Sequence, residues 1–178
     1  MEAPDEQLML AYRGGDAGAF ETLYARHRGA LYRFVLRSLK GTATDRALAE
    51  ELFQEAWIRV IEARERYAPS AKFKTWLYTI AHNLLVDHWR KKGLTLVELN
   101  DEHASADNPA RQVEARQTAA RFLQALEALP AAQREAFLLH EEGGLSVAEI
   151  AAATGTNEEA AKSRLRYATA KLKAAIDE

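Results

Sequence analysis

Cysteine is absent from the 178 residues, which removes disulfides, thiolate metal sites and cysteine nucleophiles together. Glycine and proline are scarce, nine and four, and β-branched runs are missing, so a turn-rich β architecture has little to build on. No apolar run approaches the ~18–20 residues of a membrane span. The start, MEAPDEQL, is acidic where a signal peptide would be basic and then apolar. A soluble cytoplasmic protein is the expectation. Formal net charge is only −2, so any contact with nucleic acid must rest on segregated charge rather than bulk charge. What the chain does have is 48% hydrophobic and 28% charged residues, dominated by Ala, Leu, Glu and Arg. That composition folds, and it points to an all-α protein of one large or two small domains.

The first 93 residues read as helices with clear punctuation. A short helix is predicted over Asp5–Arg13, ended by Gly14-Gly15, after which Asp16 can cap the next. Phe20, Leu23, Tyr24, His27, Leu31, Phe34 and Val35 make an apolar stripe that stops at Gly41, with His27 a packed core histidine. A third helix is predicted from Asp45 to Tyr67. Its core side is Leu52, Phe53, Ala56, Trp57, Val60 and Ile61. Its other side is Glu51, Gln54, Glu55, Ile58, Arg59 and Glu62, polar but for one isoleucine. By itself that side reads as an ordinary solvated face. Ala68-Pro69-Ser70 then breaks the helix.

Lys72–Lys92, KFKTWLYTIAHNLLVDHWRKK, concentrates more aromatics and cations than any other stretch. Phe73, Trp76, Leu77, Ile80, Ala81, Leu84 and Leu85 mark one buried helix face. Tyr78, His82, Val86 and Trp89 fall together on a second face, too aromatic for water alone. Lys72, Lys74, Arg90, Lys91 and Lys92 oppose the single acid Asp87. Aromatic faces that stack on unpaired bases, with cations that neutralise phosphates, suit single-stranded nucleic acid. Burial on two sides within an all-α domain accounts for the same pattern.

After Gly93 the helical period stops. Residues 94–112 read as a flexible acidic linker bearing Glu98, Asp101, Glu102 and Asp107, with no Lys or Arg from Glu98 to Asp107. A second unit, residues 113–178, opens with a stripe of Phe122, Leu123, Leu126 and Leu129, interrupted by Pro130. A helix then runs to Glu142 and stops at Gly143-Gly144. Ser146 to Glu149 fits a capping box. The short helix after it, the turn at Gly155 and a restart at Thr156/Asn157 have helix–turn–helix spacing. Lys162, Arg164, Arg166, Lys171 and Lys173 give the last helix the cations a duplex reader needs.

Several of these stretches resemble one family. GDAGAF (Gly15–Phe20), AEELFQEAWIRV (Ala49–Val60), FKTWLYTIAHN (Phe73–Asn83), VDHWRKK (Val86–Lys92), ALP (Ala128–Pro130) with Arg134, GLSVAEIA (Gly144–Ala151) and KSRL (Lys162–Leu165) resemble, in order and spacing, bacterial sigma factors. The group is the extracytoplasmic-function branch of the sigma-70 superfamily, which keeps only the second and fourth sigma domains. The resemblance implies a transcription initiation factor with residues 1–93 as domain 2 and 113–178 as domain 4. Glu51, Gln54, Glu55 and Arg59 would dock the clamp coiled coil of RNA polymerase's largest subunit, Glu51 standing where the family usually has Asp. The polymerase flap would take domain 4. Ala63, Tyr67, Phe73, Tyr78 and Asn83 would form or flank a pocket for a base flipped out of the melted −10 element, with Lys72, Lys74, Arg90 and Lys91 along its backbone. The linker would thread into polymerase channels in place of RNA. Lys162, Ser163, Arg164 and Arg166 would read the −35 duplex. Here the chain departs from the family pattern: Glu159, Ala160 and Ala161 replace Gly-Thr-Val, and Tyr167 and Thr169 stand where Arg is frequent. Weaker phosphate anchoring follows. An anti-sigma factor that covers the polymerase-binding surfaces is also implied.

Two other classes compete. A free-standing helix–turn–helix regulator explains residues 113–178 but leaves the aromatic basic helix and the linker without purpose. An enzyme finds little support: His27, His82, His88, His103 and His140 are scattered, and neither a phosphate loop nor a nucleophile motif is present. No catalytic residue, metal or cofactor is expected.

Overall fold

The computed structural model describes residues 2–39, 43–93 and 118–177. Every regular element among them is helical, as the composition predicts. Four helices make the N-terminal unit: α1 (Asp5–Arg13), α2 (Ala17–Ser38), α3 (Ala43–Glu62) and α4 (Phe73–Lys91). Four more make the C-terminal unit: α5 (Thr118–Ala128), α6 (Ala131–Glu141), α7 (Val147–Thr154) and α8 (Glu158–Asp177).

Local chemistry sets the boundaries. Asp16 caps α2 by accepting from the Ala19 N–H at 3.3 Å. Asp5, in the first turn of α1, binds Arg26 at 3.0 Å and His27 at 2.8 Å, which fixes α1 on α2. His27 is the packed core residue expected, 8% exposed, with its ring beside Phe73. Pro130 is extended and starts α6 without needing an N–H.

α3 ends five residues before the sequence pattern predicts, and a single 3-10 turn, Arg64–Arg66, follows it. Tyr67 causes the break. Its backbone is extended, which turns the ring into the core against Phe73 and Trp76, while its carbonyl accepts from Arg13 at 2.8 Å. Ile61, expected on the core side, is 39% exposed. Ala49, Ala56, Trp57 and Val60 carry the buried line of α3, and Ile61 lies one step round the helix from Val60. Leu123 is likewise 43% exposed where its stripe predicts burial.

Within the units α1 packs on α2, α2 on α3 and α3 on α4, while α5, α6 and α7 all pack on α8. The units are also packed on each other, α2 against α6 and α4 against α7. The buried residues accordingly form one cluster from Met9 to Leu172. The predicted linker, residues 94–112, lies outside the described residues.

Candidate nucleic-acid and polymerase interfaces

The polar side of α3 stands at the surface. Glu51 and Gln54 are exposed, Glu55 and Arg59 half-buried. Arg59 donates to Glu55 one turn back at 3.4 Å, an exposed pair of the kind that contributes little to stability. Between them Ile58 is 45% exposed. An acidic ridge around an exposed isoleucine is a surface suited to a protein partner.

The helix α4 distributes its predicted −10 residues over three environments. Phe73 (0% exposed) and Tyr67 (2%) are core side chains of the N-terminal unit. Lys72 gives α4 no side-chain cap, and the Glu6 carboxylate of α1 accepts from the Phe73 N–H at 3.4 Å instead. Burial, then Glu6 and Asp5, pushes the Tyr67 phenol up to about 12. Asn83, Arg90 and Lys91 are exposed, and Ala63 is half-buried at the entrance of the 3-10 turn. The rest, Lys72, Lys74 and Tyr78, face the C-terminal unit.

That last placement answers the question raised by the second aromatic face. Tyr78 is 1% exposed, edge-on to Phe34 on one side. On the other, its ring tip lies so close to Gly143 that a Cβ there would stand 3.3 Å from it. Burial foremost, and then the Glu142 carboxylate, raises the Tyr78 phenol well above its ordinary value. His82 Nδ1 is 2.5 Å from Glu135 of α6. Lys72 pairs with Glu149 at 3.5 Å, and Thr75 donates to the same carboxylate at 3.4 Å. Lys74 Nζ sits against Gly144. Further along, His82, Trp89 and Arg90 line a cavity of about 400 Å³ with Glu135, Thr156 and Arg164. The face is buried on its second side, by the other unit.

The C-terminal unit has the predicted helix–turn–helix. Ser146 accepts from the Glu149 N–H at 3.2 Å while Glu149 accepts from the Ser146 N–H at 2.9 Å, a complete capping box. Gly155 takes φ +68°, the left-handed region glycine enters at no steric cost. Asn157 then accepts from the Ala160 N–H at 2.8 Å to start α8. Along α8, Lys162 and Arg166 are exposed, while Ser163 and Arg164 are half-buried. Arg166 stacks over the ring of Tyr167, 5.3 Å from its centroid.

Two residues central to this arrangement, Glu142 and Glu135, carry no local signal. Glu142 accepts from Arg33 at 2.9 Å and from Arg37 at 2.6 Å. Glu135 holds His82, and Arg134 reaches the carbonyl of Ser38. Helical periodicity marks neither Glu142 nor Glu135, because their partners lie more than 50 residues away.

Known proteins share both the sequence and this architecture. The sigma-70 region 2 profile matches residues 23–95, and the sigma-70 region 4 profile matches residues 119–172. RNA polymerase sigma factor CarQ of Myxococcus xanthus is 33% identical, over 96% of this chain and 96% of its own. The chain belongs to the sigma-70 family. The extracytoplasmic-function sigma factor SigM of Mycobacterium tuberculosis is also 33% identical, over 96% of this chain and 84% of its own. Among solved structures, CnrH in complex with the cytosolic domain of CnrY superposes with a TM-score of 0.70 at 28% identity, covering 97% of both chains. The sigma factor RpoE in complex with the anti-sigma factor NepR from Bartonella quintana gives 0.66 at 25% identity, covering 89% of this chain and 96% of that one. As a sigma factor, the protein is a transcription initiation factor that binds RNA polymerase. No described helix is long and apolar enough to cross a membrane.

Proposed function

We propose that this sigma factor divides its work between its two units. Residues 1–93 dock core RNA polymerase through Glu51, Gln54, Glu55 and Arg59, and hold the melted −10 strand along α4. Residues 113–178 engage the polymerase flap and read the −35 duplex through Lys162, Ser163, Arg164 and Arg166. Residues 94–112 join the two and carry acidic charge into the polymerase channels. The single observation that supports this best is the exposure of Asn83, Arg90 and Lys91 on α4, a helix that also contributes eight buried residues to the core. An exposed amide with both a donor and an acceptor, flanked by cations, suits base and backbone contacts to a single strand. Half-buried Ala63 flanks the strand's path at the start of this surface, and the buried Tyr67 and Phe73 support the loop there.

The protein acts in the cytoplasm, as a binding subunit with no chemistry of its own. An anti-sigma factor is its natural antagonist, a reading supported by the solved relative RpoE of Bartonella quintana, which is in complex with the anti-sigma factor NepR. A mobility-shift comparison tests the reading: promoter DNA should shift with chain plus core polymerase and stay unshifted with the chain alone. A shift by the chain alone, unaffected by polymerase, would favour a free-standing regulator.

A further inference from the structure

No residue proposed to meet polymerase or DNA lies on α1, yet that helix packs on the 3-10 turn and on α4. Arg13, in its last turn, donates to the Tyr67 carbonyl at 2.8 Å. Glu6, in its first turn, accepts from the Phe73 N–H at 3.4 Å. Beside Arg13, the ring of Tyr12 lies under Arg64 of the 3-10 turn, 5.2 Å from its centroid, and the Tyr12 hydroxyl accepts from the same guanidinium at 3.1 Å.

Tyr67 itself runs along α1. Its carbonyl is at the Arg13 end. Burial, and then the Glu6 and Asp5 carboxylates of the first turn, raise its phenol at the other. The helix that makes these contacts is fixed in turn. Asp5 binds Arg26 and His27 of α2, and the His27 ring lies 5.4 Å from that of Phe73.

Between the two ties the chain is bare. Ala68, Pro69, Ser70 and Ala71 are exposed, and among the described residues none of them bonds to another element. The ends of this stretch are the buried Tyr67 and Phe73. At each end, the backbone hydrogen bond that reaches another element goes to α1. Burial of Met9 and Tyr12 accounts for α1 as a packing element. It does not account for Arg13, which is exposed and directs its guanidinium at one carbonyl of the loop.

A loop that meets a single strand is useful in one geometry, and time spent in others lowers apparent affinity in proportion. We infer that α1 is the positioning element for residues 67–73, with Arg13 and Glu6 gripping the two ends so that the loop is set for the melted −10 strand. Its consequence for DNA rests on the assignment of this loop to the −10 strand; the grip itself rests on the hydrogen bonds.

The test uses the full chain bound to core polymerase. Short randomised single-stranded DNA is selected on the wild-type complex, and the enriched sequence and its scrambled counterpart become the probes. Arg13→Ala/Glu6→Ala should bind the enriched strand about tenfold more weakly and the scrambled strand as before, with polymerase association unchanged. Amide hydrogen exchange across residues 68–73 should quicken in the same variant. Arg13→Lys keeps a donor for the Tyr67 carbonyl and should recover most of what Arg13→Ala loses. Arg13→Ala alone, at an exposed position, guards against a folding defect in the double variant, with helicity checked by circular dichroism. Folded variants with wild-type exchange would overturn the grip. Faster exchange with undiminished discrimination would leave α1 a brace and overturn its role in reading. A wild-type complex that enriches no sequence would overturn the −10 assignment itself and the positioning role with it, while the exchange rates still decide the grip.

Discussion

Arg134 donates to the Ser38 carbonyl through both Nε and Nη2, at 3.2 and 3.0 Å. Its remaining Nη1 donates to Leu129 and Glu127 at 2.8 and 3.3 Å. One buried guanidinium thus satisfies the carbonyl ends of two helices, α2 in one unit and α5 in the other. Burial lowers its pKa to about 10, opposed by Glu135, Glu127 and Asp45, so it stays charged at any ordinary pH. A planar five-donor fork is needed to reach all three acceptors, which a lysine cannot do.

Arg134→Lys is therefore expected to destabilise the chain by about 2–4 kcal/mol, because buried carbonyls lose their partners. Denaturant unfolding monitored by tryptophan fluorescence measures this. A change below about 0.5 kcal/mol would show that water replaces the guanidinium at no cost.

Glu55→Lys should weaken association with core polymerase while leaving stability nearly unchanged. Glu55 is half-buried on the polar side of α3 proposed to dock polymerase, and its bond to Arg59 is exposed and worth ~0.3–0.5 kcal/mol. A titration against immobilised core polymerase, paired with a melting curve, separates the two effects. Unchanged association would take this face out of the interface.

Asn83→Ala should lower promoter-specific transcription and leave polymerase binding intact. Asn83 is exposed, so the substitution removes a donor–acceptor pair without opening a cavity. Transcription from a −10 point-mutant series shows whether Asn83 reads a base. Equal loss at every promoter variant would make it a general contact instead.

Acid should loosen the helix–turn–helix before the rest. The Glu149 carboxyl is held below its ordinary 4.5, chiefly by the Ser146 N–H and also by the Ser146 hydroxyl and Lys72, against the effect of burial. A depressed carboxyl contributes stability that is complete above about 4.5 and is lost as pH falls through the folded value. Thermal unfolding from pH ~6 to ~3 should show this loss, and Glu149→Gln should flatten it. Parallel curves for the two chains would assign the acid sensitivity elsewhere.

Base should act on the contact between the units. Tyr78 is raised, so its contribution is complete below the ordinary 10 and is lost as pH rises above it. Phenolate absorbance should show Tyr67 and Tyr78 ionising last in the wild type. In Glu142→Arg, Tyr78 should move back towards 10 while Tyr67 stays near 12. An unmoved Tyr78 would mean that the N-terminal unit alone buries it.

Much of this was legible in the residues because it is local. The bounds of α1, the Asp16 cap, the Ser146–Glu149 box and the Gly155 turn each follow from side chains within four positions of one another. The early end of α3 was not, because the extended, buried Tyr67 answers to Arg13, Phe73 and Trp76. The faces of α4 were half legible. Its second aromatic side demanded a partner, and nucleic acid and a second protein surface both satisfy that demand. Only the long-range pairs of Glu135, Glu142 and Glu149 reveal that, in this structure, the chain supplies the partner itself.

Transcription by core polymerase supplied with this chain, over a library of genomic fragments with transcript starts mapped, tests the central claim most directly. The account predicts discrete starts that share one −35 and one −10 sequence, and their disappearance when the chain is withheld. Starts that are absent, or that show no shared upstream elements, would contradict it.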